Sequence, residues 1–268
     1  MRQLVVTVAS DEVELASDAL WGLGVVAVEE RLTDDGSTEL WTSLGDDTDA
    51  VPAGFPWPWR LVEVDAAVAD TWRVFARPIE ITPDLWVRPE WVSGDDIPVG
   101  ATVVVVEPGS TFGMGDHPTT VQCLRAVRRL VRSGDAVLDV GCGSGVLAVL
   151  AALQGATAVG VDIAPAAVPV TRHNSAVNGV EVDVSTTGLE DVAGQFDVVL
   201  ANILAPALIA LADDLVRVVR PGGALVISGI LAEPERHRHV VDALAGLTVE
   251  HVESLDGWAA ITLRKPAA

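Results

Sequence analysis

Residues 137–145 read Val-Leu-Asp-Val-Gly-Cys-Gly-Ser-Gly, a run of buried-type side chains that gives way to glycine at every second position. Between a strand and a helix expected through Leu153, such a turn lets the main chain close on a ligand, because Gly141, Gly143 and Gly145 carry no Cβ. Asp139 stands two residues ahead of the first glycine. A dinucleotide fingerprint GxGxxG needs glycine at position 146, where the chain has Val146, so nicotinamide chemistry is disfavoured. The next apolar run, 158–161, ends in Asp162. An acid at the carboxyl end of the neighbouring strand can accept both hydroxyls of a ribose. Read alone, Asp162 is also a helix cap ahead of Pro165, but a cap need not fall at the spacing of a βαβ unit. Asn202 closes a third run that starts at Phe196. Its carboxamide both donates and accepts, which suits holding a polar ligand; read alone it is a turn residue.

Three strand ends meet only if their strands lie side by side. From residue 101 onward the apolar runs 103–106, 136–140, 158–161, 182–185, 197–201 and 224–228 alternate with helical stretches. That alternation predicts an α/β fold, a mostly parallel sheet with helices on both faces, and ligands of such sheets sit outside the carboxyl ends of the strands. Runs 249–255 and 258–264 flank Asp256-Gly257, a hairpin dipeptide, so the sheet should finish in an antiparallel pair. The first 65 or so residues read as strand, helix, strand, strand, strand, a small α+β unit. Its parts are a strand at 4–8, a helix opened by the capping pair Asp11 and Glu14 and stopped at Gly22 and Gly24, a strand at 25–30, a hairpin turn at 34–36 and its partner at 39–44. Pro52, Gly54, Pro56 and Pro58 exclude a helix from 45–58. The stretch 66–100 carries Trp72, Trp86 and Trp91 among prolines and reads as a connecting segment that packs on a domain. The expected organisation is therefore a small domain at 1–65, a connection at 66–100 and a main domain at 101–268.

A chain of 268 residues, half of them hydrophobic, can bury one substantial core and a lesser one. Acidic residues number 38 against 17 basic ones, for a net charge of -21, and Lys265 is the sole lysine. Duplex nucleic acid is disfavoured as a partner. An acidic surface suits a basic protein, but by itself the charge is better read as an acid-rich, lysine-poor background composition. The apolar runs are far shorter than the ~20 residues of a membrane span, and the N-terminus has no readable secretory signal. Cys123 and Cys142 suggest neither a disulfide nor a metal site, so the cytoplasm is the expected compartment.

Residues 107–120, Glu-Pro-Gly-Ser-Thr-Phe-Gly-Met-Gly-Asp-His-Pro-Thr-Thr, resemble the signature loop of the enzymes that methylate amino groups of large-subunit ribosomal protein eleven. In that family the loop reads approximately acid-PG-LAFGTGxHPTT. Similar patches occur at 85–91, in the glycine motif, at 201–205 and 221–223, and more thinly at 24–30. The GxGxG spacing itself resembles the seven-stranded class of S-adenosylmethionine methyltransferases. The resemblance implies a Rossmann-like sheet of seven strands, S-adenosyl-L-methionine as cofactor and a basic ribosomal protein as partner. It puts Thr120, Gly141, Asp162 and Asn202 on cofactor-contacting positions, and Phe112, Asp139 and Gly143 complete the expected cofactor-binding set. It makes Phe112 and His117 pocket residues, and Asn202 and His117 the candidates for catalysis. Without it, His117 ahead of Pro118 is a helix-start residue, and Thr119 or Thr120 a helix cap. The chain departs from the pattern at Thr111 and Met114, and at 45–58, where the family has a second helix in the domain that recognises its protein substrate.

Overall fold

The computed structural model describes residues 2–9, 12–21, 23, 25, 28–33, 36–42, 51, 54–63, 76–107 and 115–267. It divides into two compact units, Met1–Ala76 and Arg77–Ala268.

In the first unit, strands β1 (Arg2–Val8), β2 (Val28–Leu32), β3 (Thr38–Thr42) and β4 (Trp59–Glu63) form an antiparallel sheet in the order β2-β3-β1-β4. The helix Val13–Trp21 follows β1. Strand periodicity puts Leu4, Val6, Val8 and Leu40 on one face, where they bury Ala16 and Leu20 of the helix together with Trp57. The order of elements is the expected one, but β2 starts at Val28, not at 25. Val25 is buried in this core ahead of the strand, and pairing with β3 begins at Val28 opposite Thr42. Asp11 of the expected capping pair, Asp34 and Asp35 of the expected turn, and residues 43–50, 52–53 and 64–75 lie outside the described residues.

The second unit holds two sheets. Seven strands, β8 (Ala136–Val140), β9 (Thr157–Val161), β10 (Val182–Ser185), β11 (Phe196–Asn202), β12 (Val219–Leu231), β13 (Thr248–Leu255) and β14 (Trp258–Arg264), lie in the order β10-β9-β8-β11-β12-β14-β13. The first five are parallel, and β14 and β13 close the sheet antiparallel through Asp256-Gly257. The apolar runs are nearly continuous because both faces are covered. Along β11, Val198 and Leu200 face a core shared with the helices Pro118–Leu130 and Val146–Leu153, while Val199 and Ala201 face one that includes Leu208, Leu215 and Val240.

One expected member of this sheet is elsewhere. Residues 103–106 belong to β7 (Thr102–Val106), which pairs in parallel with β6 (Leu85–Pro89), itself the antiparallel partner of β5 (Ile79–Thr82). The segment expected to connect domains is thus, from Ile79 on, the hairpin that recruits β7 into a separate three-stranded sheet. Local bonds fix this choice: the Thr102 amide donates to Asp84 O at 2.8 Å, and Arg128 clasps the Asp84 carboxylate from the helix Pro118–Leu130.

Candidate active site

Register brings the predicted residues to one edge. Val140 of β8 pairs with Val161 of β9 and with Ala201 of β11, so Gly141, Asp162 and Asn202 are the next residues out on three adjacent strands. Two strand spacings, about 10 Å, separate the outer two, and Gly141 lies between them. Asn202 is half-buried and pairs across β12 with Ser228. Among the described residues nothing bonds its carboxamide.

The turn after β8 needs its glycines. Gly141, Gly143 and Gly145 have φ of 72°, 53° and 75°, in the left-handed region that side chains avoid. A Cβ on Gly141 would lie 2.4 Å from Ile203 Cγ2, and one on Gly145 2.5 Å from Thr171 Cγ2. The turn is also tied down: the amides of Gly141 and Cys142 donate to Val161 O at 2.8 and 3.2 Å, and Thr171 Oγ1 donates to Gly143 O at 3.1 Å. Asp162 braces it from β9. Its Oδ2 accepts the Gly143 amide and its Oδ1 the Ala164 amide, both at 2.8 Å, which fixes the carboxylate and leaves each oxygen a further lone pair. Cys142 is buried beside Thr171, and burial raises its thiol pKa far above neutrality, so no thiolate is presented here.

Asp139 sits differently from its neighbours. It is 1% exposed, beneath the turn, and its Oδ2 accepts the Ala148 amide of the following helix at 3.2 Å. Burial pushes its pKa up to about 7, against the lowering effect of that amide and with a contribution from the Asp162 charge. That bond to Ala148 ties the end of β8 to the helix Val146–Leu153. Thr120 is likewise buried in the first turn of Pro118–Leu130, and among the described residues its hydroxyl has no hydrogen-bond partner, an unmet polar group that a ligand or a water can satisfy.

His117 takes the helix-start role. Its Nδ1 accepts the Thr119 amide at 3.3 Å and lies 2.8 Å from Thr119 Oγ1, capping the helix. Its ring meets Trp258 edge-on at 5.2 Å, and burial lowers its pKa although Asp116 opposes this. Trp258 pairs with Leu231 at the carboxyl end of β12, so the helix start lies at the same sheet edge as Asn202. Phe112 lies outside the described residues.

A glycine turn, a carboxylate fixed by two amides and a carboxamide without a bond among the described residues thus stand in line at one sheet edge. The comparison with known proteins agrees in kind: residues 59–266 match the family profile of ribosomal protein L11 methyltransferase (PrmA). The chain belongs to the L11 methyltransferase family. The protein of that name from Geobacter metallireducens is 45% identical over 80% of this chain and 70% of its own length, and the one from Thiobacillus denitrificans is 38% identical over 85% and 87%. In three dimensions, the ribosomal protein L11 methylase of Lactobacillus delbrueckii subsp. bulgaricus superposes with a TM-score of 0.63 at 27% identity, covering 70% of this chain and 98% of that one. In this member of the L11 methyltransferase family, two features of the site escaped sequence reasoning. Ile163, next to Asp162, is 91% exposed, an apolar surface beside that carboxylate. Thr171 and Asn174, both buried on the helix Ala167–Val177, contact the glycine turn. For Ile163 the signal was an isoleucine beyond the last strand residue and just ahead of Ala164-Pro165, where core burial ends.

Proposed function

We propose that this chain transfers methyl groups from S-adenosylmethionine to lysine side-chain and amino-terminal amines of ribosomal protein L11. The observation that carries the reading is the alignment of Gly141, Asp162 and Asn202 on three neighbouring strand ends. The cofactor supplies an electrophilic methyl on its sulfonium. In this assignment Asp162 accepts the ribose hydroxyls, the glycine turn lets the main chain approach, Ile163 lies against the base, and the Thr120 hydroxyl bonds the cofactor's polar end. Phe112 and His117 belong to the pocket wall. Asn202 orients the attacking amine.

The amine must be neutral to attack. A lysine of pKa ~10.4 is neutral about once in 2,500 molecules at pH 7, a cost of ~4.6 kcal/mol. Desolvation and a neighbouring positive sulfonium both lower the amine pKa, so a dedicated base is not required. The Nδ1 of His117 already serves as a cap, which leaves a relay role only to the opposite ring nitrogen. An acidic chain of net charge -21 favours a basic protein partner. We assign substrate choice to residues 1–65 and the cofactor to residues 101–268, and place the reaction in the cytoplasm. Among the described residues no helix is long and apolar enough to cross a membrane.

Incubation with methyl-labelled S-adenosylmethionine and ribosomal proteins of the same source, followed by mass mapping, tests the reading. Label on L11 amines is the expected result. Label confined to another protein or a small molecule would keep the reaction and overturn the substrate; no transfer to any acceptor would overturn both.

A further inference from the structure

We infer that Asn174 is a positioning residue for the cofactor turn, the one side chain among the described residues through which the helix Ala167–Val177 fastens the glycine turn to Glu107 at the end of strand β7. The inference rests on the reading of that turn as the cofactor's seat.

Asn174 is 1% exposed, and every bond of its carboxamide goes to main chain. Its Nδ2 donates to Ser144 O at 2.8 Å and to Glu107 O at 3.0 Å, and its Oδ1 accepts the Glu107 amide at 2.8 Å. Four residues later Asn178 repeats half of this pattern: Oδ1 accepts the Val105 amide at 2.9 Å and Nδ2 donates to Val105 O at 2.7 Å. Residues four apart share a helix face, and residues two apart on a strand turn their amides and carbonyls to the same edge. The two carboxamides therefore pair with the edge of β7 away from β6, as two rungs of a ladder would. Without them, four main-chain groups of that edge would lose their partners.

Only Asn174 extends the link to the cofactor turn. Ser144 lies between the two glycines of largest consequence for the helix start, and Thr171, one turn earlier on the same helix, holds the adjacent carbonyl of Gly143. A trans peptide directs its N–H opposite its C=O. Fixing Gly143 O and Ser144 O thus fixes the planes of the two peptides that run through the turn into the helix Val146–Leu153. Gly115 packs against Val87 of β6 so closely that a Cβ on it would lie 2.9 Å from Val87 Cγ1. Through Glu107 at the end of β7, Asn174 couples the three-stranded sheet to the turn on the seven-stranded sheet. Aspartate cannot replace it, since both Nδ2 bonds need a donor, and alanine would leave buried main-chain groups unpaired.

The full-length chain, titrated calorimetrically with S-adenosylhomocysteine and assayed for cofactor KM, kcat and thermal midpoint, tests the assignment. Asn174→Ala and Asn174→Asp should weaken S-adenosylhomocysteine by about tenfold or more and raise the cofactor KM in proportion, with a smaller change in kcat. Asn178→Ala should lower the thermal midpoint as Asn174→Ala does while keeping affinity within about twofold, because it never reaches the turn. Asn174→Asp should also regain affinity relative to the parent chain as the pH falls from 8 to 6, when a protonated carboxyl restores one donor. If Asn174→Ala does not fold, the Asp variant and its pH profile decide the question. Equal loss of affinity in Asn174→Ala and Asn178→Ala, or unchanged affinity in the Asn174 variants, overturns the inference alone. A parent chain that does not bind S-adenosylhomocysteine overturns the cofactor reading and this inference with it.

Discussion

Asp162 has both carboxylate oxygens engaged by main-chain amides before any ligand arrives, so its geometry is set in advance and its remaining lone pairs are directed outward. Replacing it with alanine should weaken S-adenosylmethionine by about 1.5–3 kcal/mol, roughly 10- to 150-fold, the scale of lost charge-assisted bonds. Calorimetric affinity unchanged in a folded Asp162→Ala variant would remove it from the ribose site. Asn202, unbonded at the next strand end, is assigned to alignment, which acts on turnover. Asn202→Ala should lower kcat by well over tenfold with little change in cofactor affinity, and turnover within twofold of the parent would end that assignment. Asp139 makes a different prediction. Its pKa rises from the ordinary carboxylate value to about 7 on folding, so the folded state holds the proton more tightly. The stability it contributes is complete below about pH 4 and is lost as the pH climbs through 7. An asparagine at this position mimics the protonated, neutral form, so Asp139→Asn should match the parent near pH 3.5 and exceed it at pH 8.5, by on the order of 2–4 kcal/mol. Urea midpoints at the two pH values measure this; a gap that does not widen with pH would mean the buried carboxylate ionises without penalty.

At the scale of elements, the helix Pro118–Leu130 shows how one residue type serves two readings. His117 caps it through Nδ1, a job asparagine also does well. His117→Asn should therefore keep the thermal midpoint within a few degrees, whereas His117→Ala should lose about 1 kcal/mol. Turnover that survives in His117→Asn assigns the histidine to capping, and turnover that falls a hundredfold in a stable variant assigns it to proton transfer. The glycine turn is the other decisive element. Gly145 combines φ of 75° with a neighbour 2.5 Å from where a Cβ would stand, so Gly145→Ala should cost both stability and cofactor affinity.

For the whole molecule, the division at Ala76 places β5, β6 and β7 with the seven-stranded sheet, and each unit has its own apolar core. A chain beginning at Arg77 should retain S-adenosylmethionine affinity and lose methylation of L11, if the first unit chooses the substrate. Circular dichroism and thermal melting establish that the shortened chain is folded. Methylation at the parent rate by a folded truncation would move recognition into the second unit.

From residue 136 onward the order of strands, the hairpin at Asp256-Gly257 and the three polar strand ends were legible in the sequence because they depend on local chemistry: burial on both faces writes continuous apolar runs, and left-handed turns demand glycine. Family membership was legible for a related reason, since residues 107–120 carry a dense motif. What the sequence left open were matters of partner. The run at 103–106 is apolar like its neighbours, yet it pairs with β6, because an apolar strand does not name its partner and the Asp84 contacts do. Asp139 and Asp162 are both acids at strand ends beside the glycine turn, but only the three-dimensional packing buries the first and leaves the second half-buried with both oxygens held by main-chain amides. Asn174 and Asn178 look like ordinary helix polar residues until the fold lays them along the edge of β7, more than sixty residues away in the chain. Local pattern determines which elements form; which groups meet across them is decided by tertiary contacts that distant residues must satisfy together.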